Sequence, residues 1–268
     1  MKKKDLRISL IQSKLNWENI QSNLDMFSHK IDSIKAGSSD LIILPEMFST
    51  GFSMNTKSLA VETDHYTFEW MQALASLKKC AVCGSVMIKE DDQYYNRFVF
   101  VDEKGKKMFY DKKHLFRMGN EHKHYASGTK NIVIKYKGWN IRPMICYDLR
   151  FPAWSYNRIL KKTNTLEFDV LIYVANWPER RSEAWSQLLI ARAIENQCFV
   201  AGVNRIGKDG NGVEHSGNSA VIDPLGKQIS KTKANKESIE TVVLSAKLID
   251  TWRKQFPVFM DADEIKIQ

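Results

Sequence analysis

The stretch from Asn140 to Pro152, NIRPMICYDLRFP, contains the strand and the turn around which this chain is expected to fold. An apolar run ends at Cys146, and polar residues and a proline follow at once. This pattern predicts a buried strand that delivers Cys146 into a sharp turn at its carboxyl end, where α/β sheets bind ligands. A thiol on such an elbow is exposed by the turn and fixed by the strand, which suits a nucleophile. Taken alone, however, Cys146 fits a buried structural cysteine better, because cysteine is among the most buried residue types.

Size and composition indicate a single domain spanning residues 1–268. With 43% hydrophobic residues the chain can bury a large core, and α/β domains of this length are commonly single. The 40 Lys and Arg residues against 31 Asp and Glu give a formal net charge of +9, but the lysines are scattered and no nucleic-acid-binding motif is present. We therefore expect a solvated, lysine-rich surface and no specific nucleic-acid partner.

Neither a metal site nor an export signal is predicted. Four cysteines in a chain of this length do not make a disulfide framework. The spacing of Cys80 and Cys83 lacks the second Cys or His pair that a zinc site needs, so core packing is the better interpretation. The N-terminal residues MKKKD are not followed by a continuous apolar segment, and no apolar run approaches membrane-spanning length. These features predict a cytoplasmic protein that does not bind membranes.

Strands and helices alternate in the first half of the chain. Residues 6–11 alternate apolar and polar, which predicts a first strand, and a helix capped by Asn16 and closed by Gly37 follows. The apolar run 40–46 is typical of a strand covered on both faces. The remaining predictions here are a helix at 67–79, strands at 81–88, 96–101 and 107–110 with a hairpin turn at 102–105, and a long polar loop at 111–128.

The second half continues the alternation and adds hairpins. Its predicted elements are a hairpin of strands 132–136 and 139–146, a helix at 152–161, a strand at 169–175, a helix at 181–196, a strand at 199–204, a glycine-rich loop at 207–217, strands at 219–222, 227–230 and 241–244, a helix at 248–255 and a tail at 256–268. The whole pattern predicts an α/β fold of mixed sheets with helices on their outer faces.

Three reactive side chains share one placement, directly after a predicted strand. Glu46 ends the run 40–46, Lys112 follows the strand 107–110, and Cys146 ends its own strand. If these strands are roughly parallel neighbours, the three groups meet at one sheet edge. The thiolate is a nucleophile whose pKa a nearby ammonium lowers, and a shielded carboxylate can shuttle a proton to and from the sulfur.

A developing oxyanion would also find donors at this edge. The Lys112 ammonium and the backbone N–H of Tyr147 are the candidates, and loss of one such donor typically costs about 10²–10³ in rate. Each residue also has an ordinary interpretation, because a Glu after a strand is often a surface residue and a Lys in a loop is usually solvated. No G-x-S-x-G motif offers a serine nucleophile instead.

At these residues the sequence closely resembles the nitrilase superfamily of carbon–nitrogen hydrolases. The matching segments are LPE at 44–46, YDKKHL at 110–115, ICYDLRFP at 145–152, ANWP at 175–178, ARAIENQ at 191–197 and NR at 204–205. They carry the Glu, Lys and Cys of that superfamily in order, at Glu46, Lys112 and Cys146. Glu121 matches a second glutamate of the superfamily, with a supporting role.

The resemblance implies a four-layer α-β-β-α sandwich of two mixed sheets that assembles into homodimers or larger homo-oligomers, partly through the C-terminal tail. It implies no metal and no organic cofactor. The segment ANWP and the loop 209–212 look most like bacterial ω-amidases, which hydrolyse the terminal amide of 2-oxo acids such as 2-oxoglutaramate. A nitrilase or an N-carbamoyl amidohydrolase with the same Glu, Lys and Cys is the alternative enzyme, and a non-catalytic binding module is the alternative class.

A small acidic substrate would need a cation for its distal carboxylate. The candidates are Arg117, Arg180 and Arg181, each of which could equally be only a surface charge. Phe116 and Trp177 are candidates for the pocket wall, although aromatic residues at such positions also occur in cores.

Overall fold

The computed structural model describes residues 3–265. Up to residue 111 the elements are β1 (Leu6–Gln12), α1 (Ile20–Asp32), β2 (Leu41–Ile43), α2 (Thr56–Leu59), α3 (Tyr66–Lys78), β3 (Ala81–Glu90), β4 (Gln93–Val101) and β5 (Lys107–Asp111). After a long loop follow β6 (Ile134–Tyr136), β7 (Trp139–Ile145), β8 (Ile159–Leu160), β9 (Thr165–Leu166), β10 (Val170–Ala175) and α4 (Ser182–Glu195). The chain continues with β11 (Phe199–Asn204), β12 (Ile206–Lys208), β13 (Glu214–Ser216), β14 (Ala220–Ile222), β15 (Ser238–Leu244) and α5 (Ala246–Gln255).

Two mixed sheets form the centre of the molecule. The first has six strands in the order β15-β1-β2-β3-β4-β5, and the second has five in the order β14-β11-β10-β7-β6. In the first sheet β1, β2 and β3 are parallel, whereas β4 and β5 each reverse direction, so β5 again runs with β2. In the second sheet β7, β10 and β11 are parallel. The strands that carry reactive residues therefore end at matching edges.

The period-two pattern of the strands decides which core each residue joins. In β2, Leu41 and Ile43 belong to the core between the sheets, whereas Ile42 belongs to a separate core on the outer face. Side chains of α1 and α3, including Phe27 and Phe68, fill that outer core. On the other side α4 packs against β11. The layers are thus helices, sheet, sheet and helix, which confirms the predicted α-β-β-α sandwich.

Tight turns support two of the predicted hairpins. Lys137 and Gly138 both have positive φ, at 47° and 83°, and join β6 to β7 in the geometry that a two-residue hairpin requires. Asp102 closes the β4–β5 turn, because its carboxylate accepts the backbone N–H groups of Lys104 and Lys106 at 2.9 Å each.

Four local predictions were wrong. Asn19 rather than Asn16 caps α1, because its side chain accepts the N–H of Ser22 at 2.9 Å. Gly37 does not close α1, which ends at Asp32, because the Gly37 N–H donates to the carbonyl of Lys78 at 2.9 Å instead. The predicted helix 152–161 is instead a 3₁₀ turn over Pro152–Ser155 followed by the β8–β9 hairpin. The predicted strand 227–230 is reduced to an isolated bridge at Gln228.

Asn157 explains why the chain leaves the helical path after residue 155. Its buried carboxamide donates to the carbonyls of Phe168 and Asn196 and accepts the Phe168 N–H, so the backbone is tied to two distant segments. The glycine-rich loop 207–217 also contains a short hairpin, β12–β13, that its composition did not indicate.

The C-terminal segment after α5 contains a 3₁₀ turn at Val258–Asp261, and Tyr156 donates to the carbonyl of Asp263 at 3.3 Å. The last three residues of the predicted tail lie outside the described part of the chain. The longest helix within residues 3–265 has 14 residues, and none there could span a bilayer.

Candidate active site

Cys146 lies on a strained elbow. It is the first residue after β7 and has a φ of 45°, a left-handed conformation that non-glycine residues rarely adopt. The buried carboxylate of Asp148 holds the elbow, because it accepts the N–H of Ile145 at 3.1 Å and the hydroxyl of Tyr110 at 2.7 Å. Asp148 also accepts the backbone N–H of His114 at 2.9 Å, which ties the elbow to the loop after Lys112.

A lysine between two glutamates lies beside this thiol. The Nζ of Lys112 donates to Oε1 of Glu46 at 2.9 Å and to Oε1 of Glu121 at 3.0 Å, and all three side chains are fully buried. Glu46 follows β2 and Lys112 follows β5, in the six-stranded sheet, whereas Cys146 follows β7 in the other sheet. The expectation of one shared sheet edge was therefore wrong, because the three groups converge from the carboxyl ends of two facing sheets.

The electrostatic balance keeps the Cys146 sulfur protonated at rest. Burial raises the pKa of the thiol well above its usual value, and the Glu46 carboxylate raises it further. Lys112 acts in the opposite direction, as its charge predicts, but does not outweigh the other two effects. The thiol therefore needs a base to become a nucleophile, rather than an ammonium alone.

Lys112 is held as an ammonium. Burial alone would lower its pKa, but the carboxylates of Glu121 and Glu46 outweigh burial and raise the pKa above its usual value. Burial and the Glu46 charge raise the pKa of Glu121, against the effect of Lys112. The cluster thus contains one fixed cation between two carboxyl groups.

Cys146 and Lys112 both line a cavity of about 450 Å³. Its walls include the aromatic rings of Phe52, Phe116 and Trp177. A volume of this size suits a small organic molecule. The structure therefore brings the predicted nucleophile, the predicted oxyanion donor and two predicted wall residues together around one space.

Three arginines surround the same cavity without a counter-ion. Arg150, Arg180 and Arg181 line it, and within residues 3–265 no carboxylate oxygen lies within 4.0 Å of their guanidinium nitrogens. The Cζ of Arg150 lies 5.0 Å from the centroid of the Trp177 ring, and the Cζ of Arg181 lies 5.5 Å from the centroid of the Phe116 ring.

Arg181 is the most shielded member of this group. Its Nη1 is covered from water and has no hydrogen-bond acceptor in the described part of the chain. Burial lowers the pKa of this guanidinium, and the neighbouring Arg180 and Arg150 lower it further. Arg117 is exposed and is not one of the residues that line the cavity.

Comparison with known proteins identifies the family. A family model for carbon–nitrogen hydrolases matches residues 7–254. This chain belongs to the carbon–nitrogen hydrolase family. Its similarity to the Omega-amidase YafV of Escherichia coli K12 is 41% identity over 262 residues, or 98% of each chain. The 2-oxoglutaramate amidase of Bacillus subtilis is 32% identical over 257 residues, or 95% of this chain and 96% of that protein.

A solved structure supports the same placement. XC1258 of Xanthomonas campestris, described as a CN-hydrolase superfamily protein with an arsenic adduct in the active site, matches this carbon–nitrogen hydrolase with a TM-score of 0.96. The two are 42% identical, and the match covers 98% of this chain and 99% of that one. The superfamily assignment made from the sequence is confirmed, and the protein is a hydrolase of carbon–nitrogen bonds.

Sequence reasoning missed several residues of the hydrolase site. Asn96 donates to Glu46 Oε1 at 2.8 Å, and the backbone N–H of Asn176 donates to Glu46 Oε2 at 2.7 Å. Arg150 was visible inside the ICYDLRFP segment but was not singled out. For Asn96 the available signal was an uncharged polar residue in an apolar strand, since a buried carboxamide must find partners.

Proposed function

We propose that this hydrolase cleaves the terminal amide of small 2-oxo acid amides, such as 2-oxoglutaramate, through a cysteine thioester. The observation that carries the proposal is the buried Glu46–Lys112 pair beside the Cys146 thiol. Lys112 and Cys146 line a cavity that is also lined by arginines without a counter-ion in the described part of the chain. The relatives named omega-amidase and 2-oxoglutaramate amidase, which match nearly the whole chain, support the substrate class.

The first step forms a bond between Cys146 and the amide carbon. Because the thiol is protonated at rest, Glu46 takes its proton as the sulfur attacks the carbonyl carbon. The carbonyl oxygen becomes an oxyanion that accepts hydrogen bonds from the Lys112 ammonium and the Tyr147 backbone N–H. The raised pKa of Lys112 keeps that donor charged throughout.

Collapse of this intermediate releases ammonia. Glu46 gives its proton to the amide nitrogen, the carbon–nitrogen bond breaks, and a thioester of Cys146 remains. Water then attacks the thioester carbon while Glu46 takes a proton from it. The carbon–sulfur bond breaks, the sulfur regains a proton from Glu46, and the carboxylic acid leaves. Glu121 supports these steps by accepting a second hydrogen bond from the Lys112 ammonium, at 3.0 Å.

The arginines give the substrate its orientation. A 2-oxo acid amide carries a carboxylate at the end opposite the scissile amide, and an arginine without a counter-ion binds a carboxylate through strong, charge-assisted hydrogen bonds. The aromatic rings of Trp177 and Phe116 hold Arg150 and Arg181 against the cavity wall. We assign the distal carboxylate to Arg181 together with Arg150, with Arg180 adding positive charge at the edge.

Arg181→Gln tests this assignment. We expect the KM for 2-oxoglutaramate to rise about 10-fold or more, because a charge-assisted contact is lost, while hydrolysis of neutral butanamide changes less than about twofold. Steady-state kinetics on both amides measures the difference. Arg117→Gln is the matched control, since that arginine is exposed and outside the cavity. Equal losses on both substrates would mean that Arg181 only supports the fold.

The substrate class itself is tested by ammonia release from 2-oxoglutaramate beside a panel of neutral amides, nitriles and N-carbamoyl amines. We expect 2-oxoglutaramate to have the highest kcat/KM on this panel. Preference for a nitrile or a carbamoyl compound would replace the substrate class while keeping the thioester chemistry. No reaction with any compound would contradict the proposed substrate class.

We further propose that residues 1–268 act as one domain in the cytoplasm and form a homodimer or a larger homo-oligomer through the C-terminal segment. Exposed apolar side chains support the contact, since Phe256 is 50% exposed and Met260 is 58% exposed. Sedimentation of the purified protein is expected to give at least a dimer, which Met260→Asp weakens. A wild-type protein that sediments as a monomer at all concentrations would contradict this proposal.

A further inference from the structure

Asn96 is fully buried in β4 and contacts both glutamates of the site. Its Nδ2 donates to Oε1 of Glu46 at 2.8 Å and to Oε1 of Glu121 at 3.3 Å. These are the same two oxygens that accept hydrogen bonds from Lys112 Nζ. The two carboxylates, the ammonium and the carboxamide therefore form a closed ring of hydrogen bonds.

The backbone of Asn96 strengthens this arrangement. Its carbonyl accepts the N–H of Lys112 at 2.9 Å, directly beyond the last paired residues of β4 and β5. One residue thus fixes the lysine through the main chain and both glutamates through the side chain. Asn96 is not among the residues that line the cavity, and both hydrogen bonds of its side chain go to the two glutamates.

The charges around Asn96 explain why an uncharged donor is needed there. The groups that face the ring are Glu46 after β2, Glu121 and Tyr125 in the long loop, Lys112 after β5 and Cys146 after β7. One ammonium cannot neutralise two buried carboxylates. An uncharged second donor stabilises their ionised forms through hydrogen bonds without placing another positive charge near the thiol.

We propose that Asn96 is a positioning residue that locks the orientation of both carboxylates and keeps Glu46 ionised, so that Glu46 can accept the Cys146 proton. The carboxamide suits this role because its nitrogen has two hydrogens, one for each glutamate. An aspartate at this position would add a third carboxylate, and an alanine would leave both Oε1 atoms with one donor fewer. The inference rests on the proposed function for its catalytic consequence.

The test is the pH dependence of turnover in Asn96→Ala and Asn96→Asp. Loss of a donor destabilises the ionised carboxylates, so the acid limb of kcat should move to higher pH by about one unit in Asn96→Ala. It should move further in Asn96→Asp, because of the added negative charge. At a pH below the wild-type acid limb, kcat of Asn96→Ala should therefore be about 10-fold lower than that of the wild type. KM for 2-oxoglutaramate should stay within about twofold of the wild-type value.

Alkylation of Cys146 by iodoacetamide gives a readout that needs no substrate. The reaction requires the same proton transfer to Glu46, so its acid limb should shift in the same order, wild type, then Asn96→Ala, then Asn96→Asp. Alkylation tests the role of Asn96 separately from the proposed substrate, because it can be measured even if the protein does not hydrolyse 2-oxoglutaramate. If Asn96→Asp does not fold, Asn96→Ala carries the test.

Asn157→Asp is the matched control, because it alters a buried carboxamide that bonds Phe168 and Asn196 and does not line the cavity. It should lower the unfolding temperature without moving either acid limb. The proposal is overturned if the Asn96 variants keep the wild-type limbs in both assays, or if Asn157→Asp shifts the limbs as much as they do.

Discussion

Cys146→Ala is expected to release no measurable ammonia from 2-oxoglutaramate, a loss of at least about 10⁴-fold, because it removes the sulfur that forms the thioester. The other three cysteines cannot take over its role. Cys80, Cys83 and Cys198 are completely buried, and none of them lines the cavity. Ammonia release at high enzyme concentration, monitored against a no-enzyme blank, measures the loss.

The same variant should stay folded. Alanine keeps the Cβ of Cys146, so the strained φ of 45° is equally costly before and after the substitution, and only one sulfur atom is removed. Cys198→Ala is the matched control, since it leaves a similar small gap in the core but should keep the wild-type kcat. Thermal unfolding of both variants checks the fold. Ammonia release by folded Cys146→Ala at a rate near wild type would rule out the thioester mechanism.

Short-range sequence patterns were sufficient to place the individual reactive groups. Apolar segments of the sequence became β2 and β7. Cys146, directly after β7, lines the cavity, and Glu46, three residues after β2, bonds to Lys112 in the cavity wall. What those patterns do not contain is the pairing between distant segments. The first sheet is closed by β1 against β15, where Leu6 pairs with Leu244, and nothing local to either strand specifies that partner.

The errors have the same origin. The residues after Pro152 were predicted to continue as a helix, but Asn157 is bonded to Phe168 and Asn196 across the fold, and these contacts override a weak local preference. Asn96 escaped notice because its partners lie 25 and 50 positions away in sequence. Residues that act by hydrogen-bonding other side chains become visible only when the fold has brought those side chains together.

Glu46→Gln is expected to lower kcat about 10³-fold, because glutamine can neither take the thiol proton nor return one to the departing ammonia. The substitution preserves most of the local structure. The glutamine carbonyl can still accept hydrogen bonds from Lys112 and Asn96, although its amide would meet the Asn176 N–H as a second donor. Single-turnover ammonia release measures the rate, and thermal unfolding measures the cost of the unfavourable donor pair.

The same variant should also increase the thiolate form of Cys146, although its activity falls. Burial and the Glu46 carboxylate both raise the pKa of this thiol, so removal of the carboxylate lowers the pKa and more thiolate forms at neutral pH. Ultraviolet titration of the thiolate, with Cys146→Ala as the blank, follows this change. More thiolate with less turnover means that proton transfer by Glu46, not the supply of thiolate, limits the reaction. If activity instead rose with the thiolate, Glu46 would act only through its charge, and the role of proton carrier would have to be given to another group.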